Sequence, residues 1–232
     1  MADFTHVEDW IFDLDNTLYP ADCNLFAQID HRMRTFIEER FDLAPADART
    51  LQKRYYVEYG TTLAGLMKLH GCAPHDFMDY VHDIDLSPVD EHPELARRIA
   101  DLPGRKHIFT NGSVKHAENV CAKLGLADHF ETIFDIEAAD FLPKPHRQTY
   151  ERFVSRHGVE APRAAMFEDI AVNLEAPHQL GMTTVLITST APWIEDEPVE
   201  KRPAASAADH AHVHHATDDL YRFLTAVRTA AA

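Results

Sequence analysis

Cysteine is scarce in this chain, and the few cysteines lie far apart. The 232 residues contain only Cys23, Cys72 and Cys121, with no Cys-x-x-Cys pair among them. An odd, scattered set argues against a disulfide scaffold and against a thiolate zinc site, and it suits a reducing cytosol. We therefore expect a cytoplasmic protein held together by its hydrophobic core, which a chain of this length can bury without disulfides or metals.

Long hydrophobic runs are also missing. Apolar stretches such as Val185-Leu186-Ile187 are far short of the roughly 20 residues that a membrane-spanning helix needs. Residues 1–6 contain neither a basic stretch nor an apolar segment, so we expect no signal peptide. Apolar residues make up 45% of the chain and charged residues 26%, which is typical of a folded globular protein rather than a disordered one.

Basic residues are in deficit. The chain has 38 acidic and 22 basic side chains, which gives a formal net charge of −16. Polymeric nucleic acid and anionic lipid bind chiefly through lysine and arginine, so we expect neither as a partner. A small phosphorylated metabolite is compatible with this charge when a local cation offsets the general repulsion. The sequence leaves the oligomeric state open.

The hydrophobic pattern predicts one strand followed by a long helical region. Residues 7–13 are mostly apolar and end in acid, which is typical of a first strand. From Leu25 to Phe41, apolar residues recur at spacings of three and four, as on one face of an amphipathic helix. Helix is expected to continue to about residue 90, with breaks near Pro45 and Pro74, before Pro93 opens the next helix.

From residue 106 onward, short strands and helices alternate. Strands are predicted at 106–109, 130–134, 164–167, 183–187 and 212–216, and helices at 114–124, 149–156, 172–180 and 218–227, with a loop at 191–210. Ser113 and Asp218 are expected to cap helices, and Val114 to lie on the apolar face of its helix. The alternation predicts an α/β fold, a Rossmann-like doubly wound parallel sheet. Residues 1–19 and 91–232 would form this core domain, and residues 20–90 an inserted helical cap domain.

Chemically versatile residues follow three of the predicted strands. The first strand ends in Asp13-Leu14-Asp15, the second in Thr110-Asn111-Gly112 and the third in Glu168-Asp169. In open parallel sheets, ligands bind beyond the carboxyl ends of the strands, so these groups should converge. Lys144 lies between two prolines just before a helix and can reach the same crevice.

The residue types point to a metal-assisted phosphate site. Clustered carboxylates repel one another unless a cation lies among them, and an all-oxygen set suits Mg²⁺. One aspartate would then stay anionic for attack, while the other keeps a proton for the leaving group. The Thr110 hydroxyl, the backbone N–H groups of Asn111 and Gly112, and the Lys144 charge suit phosphate oxygens. Each motif alone also fits a turn, a helix start or a solvated lysine. Their joint occurrence at strand ends favours a site.

The four motifs together resemble those of the haloacid dehalogenase superfamily of phosphohydrolases, over about residues 7–190. Residues 12–18 are similar to its first motif, Thr110-Asn111 to its second, Lys144-Pro145 to its third and Glu168-Asp169 to its fourth. The helical insert follows the first motif, as the family's cap does. Residues 13–20, 55–63 and 141–145 look most like the pyrimidine 5′-nucleotidase branch.

This resemblance implies a magnesium-dependent phosphatase that acts on a small phosphomonoester through an aspartyl-phosphate, with a nucleoside monophosphate as the best substrate. Asp13 would be the nucleophile, and Asp15 the general acid and then the base. Asp13, the backbone carbonyl of Asp15 and Asp169 would hold Mg²⁺, with Glu168 bound directly or through water. Thr110 and Lys144 would bind the phosphoryl group.

Two departures from the family pattern concern the fourth motif. Glu168 stands where many members have Gly or Asp, which leaves the metal ligands there open. Asn173 stands where some members carry a further acid, so we assign no metal role to it.

Further substrate contacts are expected from both parts of the chain. Leu14, Asn111 and Gly112 would contribute them from the core, and Tyr56 and Tyr59 from the cap. Other cap residues that could enclose a base, or simply form a helical core, are Tyr55, Phe26 and Met67.

The histidines near the end of the chain look at first like a metal tract. They are His210, His212, His214 and His215. A strand explains them better, with His212 and His214 on one face and His215 on the other, so we expect no metal there.

Several alternatives share the predicted fold. A phosphoglycolate or sugar-phosphate phosphatase and a phosphomutase would use the same groups, although such mutases tend to have Gly where this chain has Asn16. A haloacid dehalogenase needs no metal and usually lacks the second aspartate, so Asp15 and Asp169 argue against it. A non-catalytic binding protein would not need the complete set of catalytic side chains.

Overall fold

A six-stranded parallel sheet forms the centre of the protein. The computed structural model describes residues 2–198, 202–208 and 210–230. The strands are β1 (Asp3–Phe4), β2 (Asp9–Phe12), β3 (Arg105–Phe109), β4 (Thr132–Phe134), β5 (Ala164–Glu168), β6 (Thr183–Ile187), β7 (His215–Thr217) and β8 (Arg228–Thr229). The sheet order is β4-β3-β2-β5-β6-β7 with every pair parallel, and β1 pairs with β8 separately. The predicted doubly wound α/β fold is thereby confirmed.

Nine α-helices accompany these strands in the described part of the chain. They are α1 (Leu25–Phe41), α2 (Pro45–Tyr59), α3 (Thr62–His70), α4 (Pro74–Val81), α5 (Pro93–Ala100), α6 (Val114–Leu124), α7 (Arg147–His157), α8 (Glu175–Leu180) and α9 (Leu220–Ala226). Helices α1 to α4 lie between β2 and β3, and we call residues 25–81 the helical insert. Its predicted breaks at Pro45 and Pro74 are confirmed, since both prolines occupy the first helical position.

The buried residues of the sheet alternate between two hydrophobic clusters. Trp10 and Phe12 of β2 belong to the cluster that includes side chains of α5, α6 and α9, whereas Ile11 belongs to the cluster with α7 and α8. Successive side chains of a strand point to opposite faces, so this division places helices on both faces of the sheet.

The helical insert has a hydrophobic cluster of its own. Ile29, Ile37, Tyr55, Leu66 and Phe77 are buried together there, and Ile136 from beyond β4 joins them. The helices therefore pack chiefly on one another, and the segment that follows β4 adds Ile136 and the partly buried Phe141 to this cluster. Within the described residues, no helix is long and apolar enough to cross a bilayer.

A segment after β6 ties the insert to the sheet. The Trp193 ring stacks on Phe26 of α1, with 5.8 Å between centroids, and its Nε1 donates to the backbone oxygen of Ala21 at 2.8 Å. Lys53 of α2 bridges Asp30 and Glu197, with both nearest distances at 2.6 Å. One aromatic and one ionic contact thus fix this side of the insert.

Helix does not continue to residue 90 as expected, because α4 ends at Val81. The Asp85 carboxylate accepts the backbone N–H and the hydroxyl of Ser87, and Gln28 bonds to the Asp85 backbone. Such short-range bonds from an aspartate to the backbone compete with the helical pattern. Residues 82–92 consequently form a connection rather than a helix.

The buried face of α6 and the start of β7, the last strand of the central sheet, also differ from prediction. Val114 is exposed, and His116 takes the buried position beside Ala117, although Ser113 caps the helix as expected. The last strand begins at His215 rather than 212, since His212 and His214 bond instead to the hydroxyl of Thr184. His212 and His214 therefore lie outside the strand.

The cap of the last helix is shifted by one residue. Asp219, not Asp218, caps α9 by accepting from the N–H of Arg222. The aspartates are adjacent, and the residue whose carboxylate reaches the free N–H groups of the first turn becomes the cap.

Gly65 of α3 lies directly against the Tyr55 side chain of α2, and this contact gives a test of the packing. A Cβ atom at Gly65 would lie 2.5 Å from Cγ of Tyr55. Gly65→Ala should lower the free energy of unfolding by about 1–3 kcal/mol, because the overpacking outweighs the gain in helix propensity. Chemical denaturation measures this change.

The control is the same substitution in a Tyr55→Ala background. With the ring removed, Gly65→Ala should be neutral or stabilising by about 0.5–1 kcal/mol, as for a glycine in an ordinary helix. An equal loss of stability in both backgrounds would contradict the close approach of the two helices.

Candidate active site

The carboxyl ends of three neighbouring strands deliver the candidate residues to one edge of the sheet. Strand β2 lies between β3 and β5 and leads directly into Asp13, while β3 leads into Thr110 and β5 ends at Glu168. Asp13 is fixed in register, since its N–H donates to the backbone oxygen of Phe167 at 2.9 Å. The predicted convergence of these motifs is thereby confirmed.

The ammonium group of Lys144 joins the strand ends. Its Nζ lies 2.7 Å from Oδ1 of Asp13, 2.6 Å from Oε2 of Glu168 and 3.0 Å from the backbone oxygen of Phe109. Burial alone would lower the pKa of Lys144, but the two carboxylates raise it, so the group stays charged. These three bonds use all three donors of the ammonium. Lys144 therefore offers an incoming anion its charge rather than a free N–H.

Asn111 fixes the backbone that carries Lys144. Its Oδ1 accepts from the Lys144 N–H at 2.9 Å, and its Nδ2 lies 3.4 Å from the Lys144 backbone oxygen. The N–H of Gly112 donates to Oγ1 of Thr110 at 2.9 Å. The hydrogen bonds of Thr110 and Asn111 thus stabilise the backbone at the end of β3 and around Lys144. Thr110, Asn111 and Gly112 all line the cleft that contains Asp13.

Three buried carboxylates lie together beside Lys144. Asp13, Glu168 and Asp169 each place one oxygen within 4.8 Å of the others, a grouping that can hold a metal ion. Burial raises the pKa of Asp13 to about 7, and the nearby negative charge of Glu168 is the second cause. The same two causes raise the pKa of Asp169 well above its usual range. One ammonium does not balance three carboxylates, so the site favours an added cation.

The donor set fits a hard divalent ion. All three groups are carboxylates, and neither histidine nor cysteine belongs to the cluster. Glu168 is the most constrained of them, since its Oε1 also accepts from the Ile170 N–H and from Nδ2 of Asn173. Asn173 thus positions Glu168. Asp13 and Asp169 are the carboxylates with more freedom to coordinate.

Asp15 lies two residues from Asp13 in a different environment. Its Oδ1 accepts from the Tyr19 hydroxyl at 2.7 Å and lies 2.8 Å from Nε2 of His116. Burial would raise the pKa of Asp15, but His116 and Tyr19 outweigh it and lower the pKa to about 2. His82, which follows α4, stacks on His116 with 4.4 Å between ring centroids. Oδ1 of Asp15 is thus held by Tyr19 and His116, and Asp15 is not part of the three-carboxylate cluster.

The helical insert supplies the opposite wall of the cleft. The cleft holds about 990 Å³ of space, including its open mouth, and Phe26 and Tyr56 line it, whereas Tyr59 does not. Tyr59 instead packs edge-to-face on Tyr55, at 5.8 Å between centroids. The side chain of Leu14 is buried in the core, so only its backbone can meet a substrate.

The histidines near the end of the chain do not form a metal-binding group among the described residues. His212 bonds through Nε2 to the backbone oxygen of Ala171 at 2.8 Å, and Nδ1 of His214 lies 2.8 Å from the hydroxyl of Thr184. Both side chains therefore tie the last part of the chain to the sheet.

Three residues of the site were not singled out from the sequence. Tyr19 and His116 contact Asp15, and His82 covers His116. The available signal was a histidine at position 116 among the apolar residues of α6, since a buried histidine needs a hydrogen-bond partner.

The site geometry agrees with comparisons to known proteins. A family model described as "Hydrolase: haloacid dehalogenase-like hydrolase" matches residues 11–181, about three quarters of the chain. A curated relative, "Phosphate metabolism protein 8" of Saccharomyces cerevisiae, is 28% identical over 196 residues, which cover 76% of this chain. The chain spans 60% of the length of that relative.

Solved structures share the fold at low sequence identity. A HAD phosphatase from Thermococcus onnurineus has a TM-score of 0.60 at 15% identity, covering 94% of this chain and 97% of that chain. CbbY from Rhodobacter sphaeroides, in complex with phosphate, has a TM-score of 0.61 at 13% identity, covering 94% and 96%. L-2-haloacid dehalogenase from Xanthobacter autotrophicus has a TM-score of 0.58 at 14% identity, covering 94% and 97%. The match of the family model, with its motifs gathered at one edge of the sheet, shows that this chain belongs to the haloacid dehalogenase-like hydrolases.

Proposed function

We propose that the protein is a magnesium-dependent phosphatase that hydrolyses a small phosphomonoester through an aspartyl-phosphate on Asp13. The observation that carries the proposal is the arrangement around Lys144. Its ammonium lies against Asp13 and Glu168, with Asp169 beside them and Asp15 held separately. A nucleophile, a separate proton-transfer group and a place for positive charge are what such a reaction requires.

Asp13, Asp15 and Lys144 have separate roles in the two proposed steps. A carboxylate oxygen of Asp13 attacks phosphorus, the bond from phosphorus to the leaving oxygen breaks, and Asp15 gives that oxygen a proton. Lys144 offsets the negative charge on the phosphoryl oxygens. In the second step, Asp15 takes a proton from water, the water oxygen attacks phosphorus and the bond to Asp13 breaks.

Asp13, Asp169 and Glu168 would hold Mg²⁺, with the backbone carbonyl of Asp15 as the ligand expected from the family. When bound, the ion supplies positive charge beside the nucleophile and the phosphoryl oxygens. The excess of carboxylates over ammonium groups at this point supports its presence.

We further propose that residues 20–90 act as a cap domain that selects the substrate, with a pyrimidine nucleoside monophosphate as the preferred class. The separate hydrophobic cluster of the insert and the aromatic side chains of Phe26 and Tyr56 in the cleft support this assignment. Aromatic faces stack on planar bases, and a closed cap excludes water from the reacting phosphate.

Asp13→Asn should abolish turnover of 4-nitrophenyl phosphate while the fold is retained, because the amide keeps the shape of the nucleophile and loses its charge. We expect a loss of at least about 1000-fold, comparable to removal of a covalent nucleophile. Initial rates measure turnover, and circular dichroism checks the fold. The control is Asp128→Asn, an exposed aspartate outside the cleft, which should retain its activity. Residual Asp13→Asn activity within tenfold of wild type would contradict the assignment.

Mg²⁺ should raise the thermal stability of the protein, and more so at pH 8 than at pH 5.5. The folded pKa of Asp13 is about 7, above its unfolded value, so the metal-free fold binds a proton that the unfolded chain has lost. Stability from this group is therefore present at low pH and falls as pH rises through 7. Mg²⁺ competes with that proton and stabilises the fold by about 2.7 kcal/mol at 100 times its Kd.

Differential scanning fluorimetry with MgCl₂, against NaCl at matched ionic strength, measures this effect. Asp169→Asn should lose most of the shift, whereas Asp128→Asn should keep it. An Asp169→Asn protein that responds like wild type would exclude the proposed metal site. Phosphatase activity that is indifferent to chelator would contradict the proposed magnesium requirement.

Uridine or cytidine monophosphate should be hydrolysed with higher kcat/KM than purine nucleotides or sugar phosphates. Tyr56→Leu should raise the KM for the nucleotide, since stacking of a base on an aromatic ring contributes about 1–3 kcal/mol. Tyr59→Leu is the matched control, because Tyr59 does not line the cleft. A flat profile, or a preference for phosphoglycolate, would reject the nucleotide assignment and leave the phosphatase in place. Transfer of phosphate between sugar positions would identify a mutase.

A further inference from the structure

Two donors converge on a single oxygen of Asp15. The hydroxyl of Tyr19 and Nε2 of His116 lie 2.7 and 2.8 Å from Oδ1. Within the described part of the chain, both hydrogen bonds end on Oδ1 rather than Oδ2. A carboxylate that accepts twice on one oxygen is fixed in rotation and has its other oxygen left to exchange a proton.

His116 is itself held in place from two sides. Its side chain is 1% exposed, and its backbone N–H donates to Oγ of Ser113, the cap of α6. His82 stacks on its ring at an interplanar angle of 10°, and Nδ1 of His82 lies 3.0 Å from the same Ser113 oxygen. His82, the residue that directly follows the helical insert, therefore packs against the histidine that contacts Asp15.

A second histidine–aspartate pair in the protein shows what a purely structural contact looks like. His107 and Asp9 are joined at 2.8 Å near the opposite end of the sheet, and their side chains are 0% and 4% exposed. The side chain of Asp15 is 22% exposed and lines the cleft beside Asp13. His116 therefore contacts a carboxylate, that of Asp15, which a substrate in the cleft can reach.

We propose that Tyr19 and His116 are positioning residues that hold Oδ1 of Asp15, so that Oδ2 exchanges protons with the substrate. This inference rests on the proposed function. In the first step, the proton on Oδ2 passes to the leaving oxygen as its bond to phosphorus breaks and the bond from Asp13 forms. In the second step, Oδ2 takes a proton from the attacking water as the bond between Asp13 and phosphorus breaks.

The test compares two substrates that differ in their need for a proton. Uridine monophosphate would expel uridine as a poor alkoxide leaving group and requires general acid catalysis, whereas 2,4-dinitrophenyl phosphate expels the stable 2,4-dinitrophenolate anion and does not. The measured quantity is kcat/KM, which covers the steps up to formation of the aspartyl-phosphate. A merely structural role of His116 would affect the two substrates alike.

Tyr19→Phe and His116→Leu should each lower kcat/KM for uridine monophosphate by roughly 10- to 100-fold, and that for 2,4-dinitrophenyl phosphate by less than about 3-fold. His116→Gln should recover most of the loss, because its amide N–H can replace the donor. Tyr80→Phe, which removes a tyrosine hydroxyl from the outer side of the insert, is the matched control and should change neither value.

The outcomes separate this inference from the proposed function. Equal losses on both substrates, or no loss on either, would overturn the positioning role and leave the phosphatase assignment intact. A wild-type protein inactive on both substrates would overturn the proposed function, and the inference with it. If His116→Leu does not fold, Tyr19→Phe carries the same test, since it removes only a hydroxyl.

Discussion

The buried ammonium of Lys144 is the interaction on which the rest of the site depends. A charge removed from water is stable only when it is paired and hydrogen-bonded, and Lys144 meets both conditions through Asp13, Glu168 and the Phe109 backbone. These partners come from three adjacent parallel strands. The strand order β3-β2-β5 is therefore what makes the pairing possible, because it brings to one edge groups that lie more than 150 residues apart.

The sequence predicts this part of the molecule well because topology determines it. The ends of parallel strands lie at one edge of a sheet, so Asp13, Thr110 and Glu168 can be placed together without knowledge of side-chain packing. Lys144 follows from the same argument, since it carries the only opposite charge in the motifs. The six strands of the central sheet and the helices between them are also predicted to within a few residues, because their hydrophobic periods are regular, whereas the short pair β1 and β8 is not predicted.

Contacts that depend on how the helices pack were not predictable in this way. His116 lies at an apolar position of α6, and its partner Asp15 lies 101 residues away. Tyr56 and Tyr59 are three residues apart on α2, and only the orientation of the insert decides that Tyr56 lines the cleft. The bridge from Lys53 to Glu197 likewise requires both the fold of the insert and the path of the chain after β6.

The two aspartates of the first motif, Asp13 and Asp15, have pKa values shifted in opposite directions although they are only two residues apart. Burial and Glu168 raise the pKa of Asp13 to about 7, whereas His116 and Tyr19 lower the pKa of Asp15 to about 2. In the free protein, these shifts favour a protonated Asp13 and an ionised Asp15, whereas a nucleophile must be ionised and a general acid protonated. A cation beside Asp13 lowers its pKa, and a phosphoryl dianion beside Asp15 raises that of Asp15 by like-charge repulsion. Asp13 and Asp15 therefore reach the protonation states of their proposed roles only when metal and substrate are both bound.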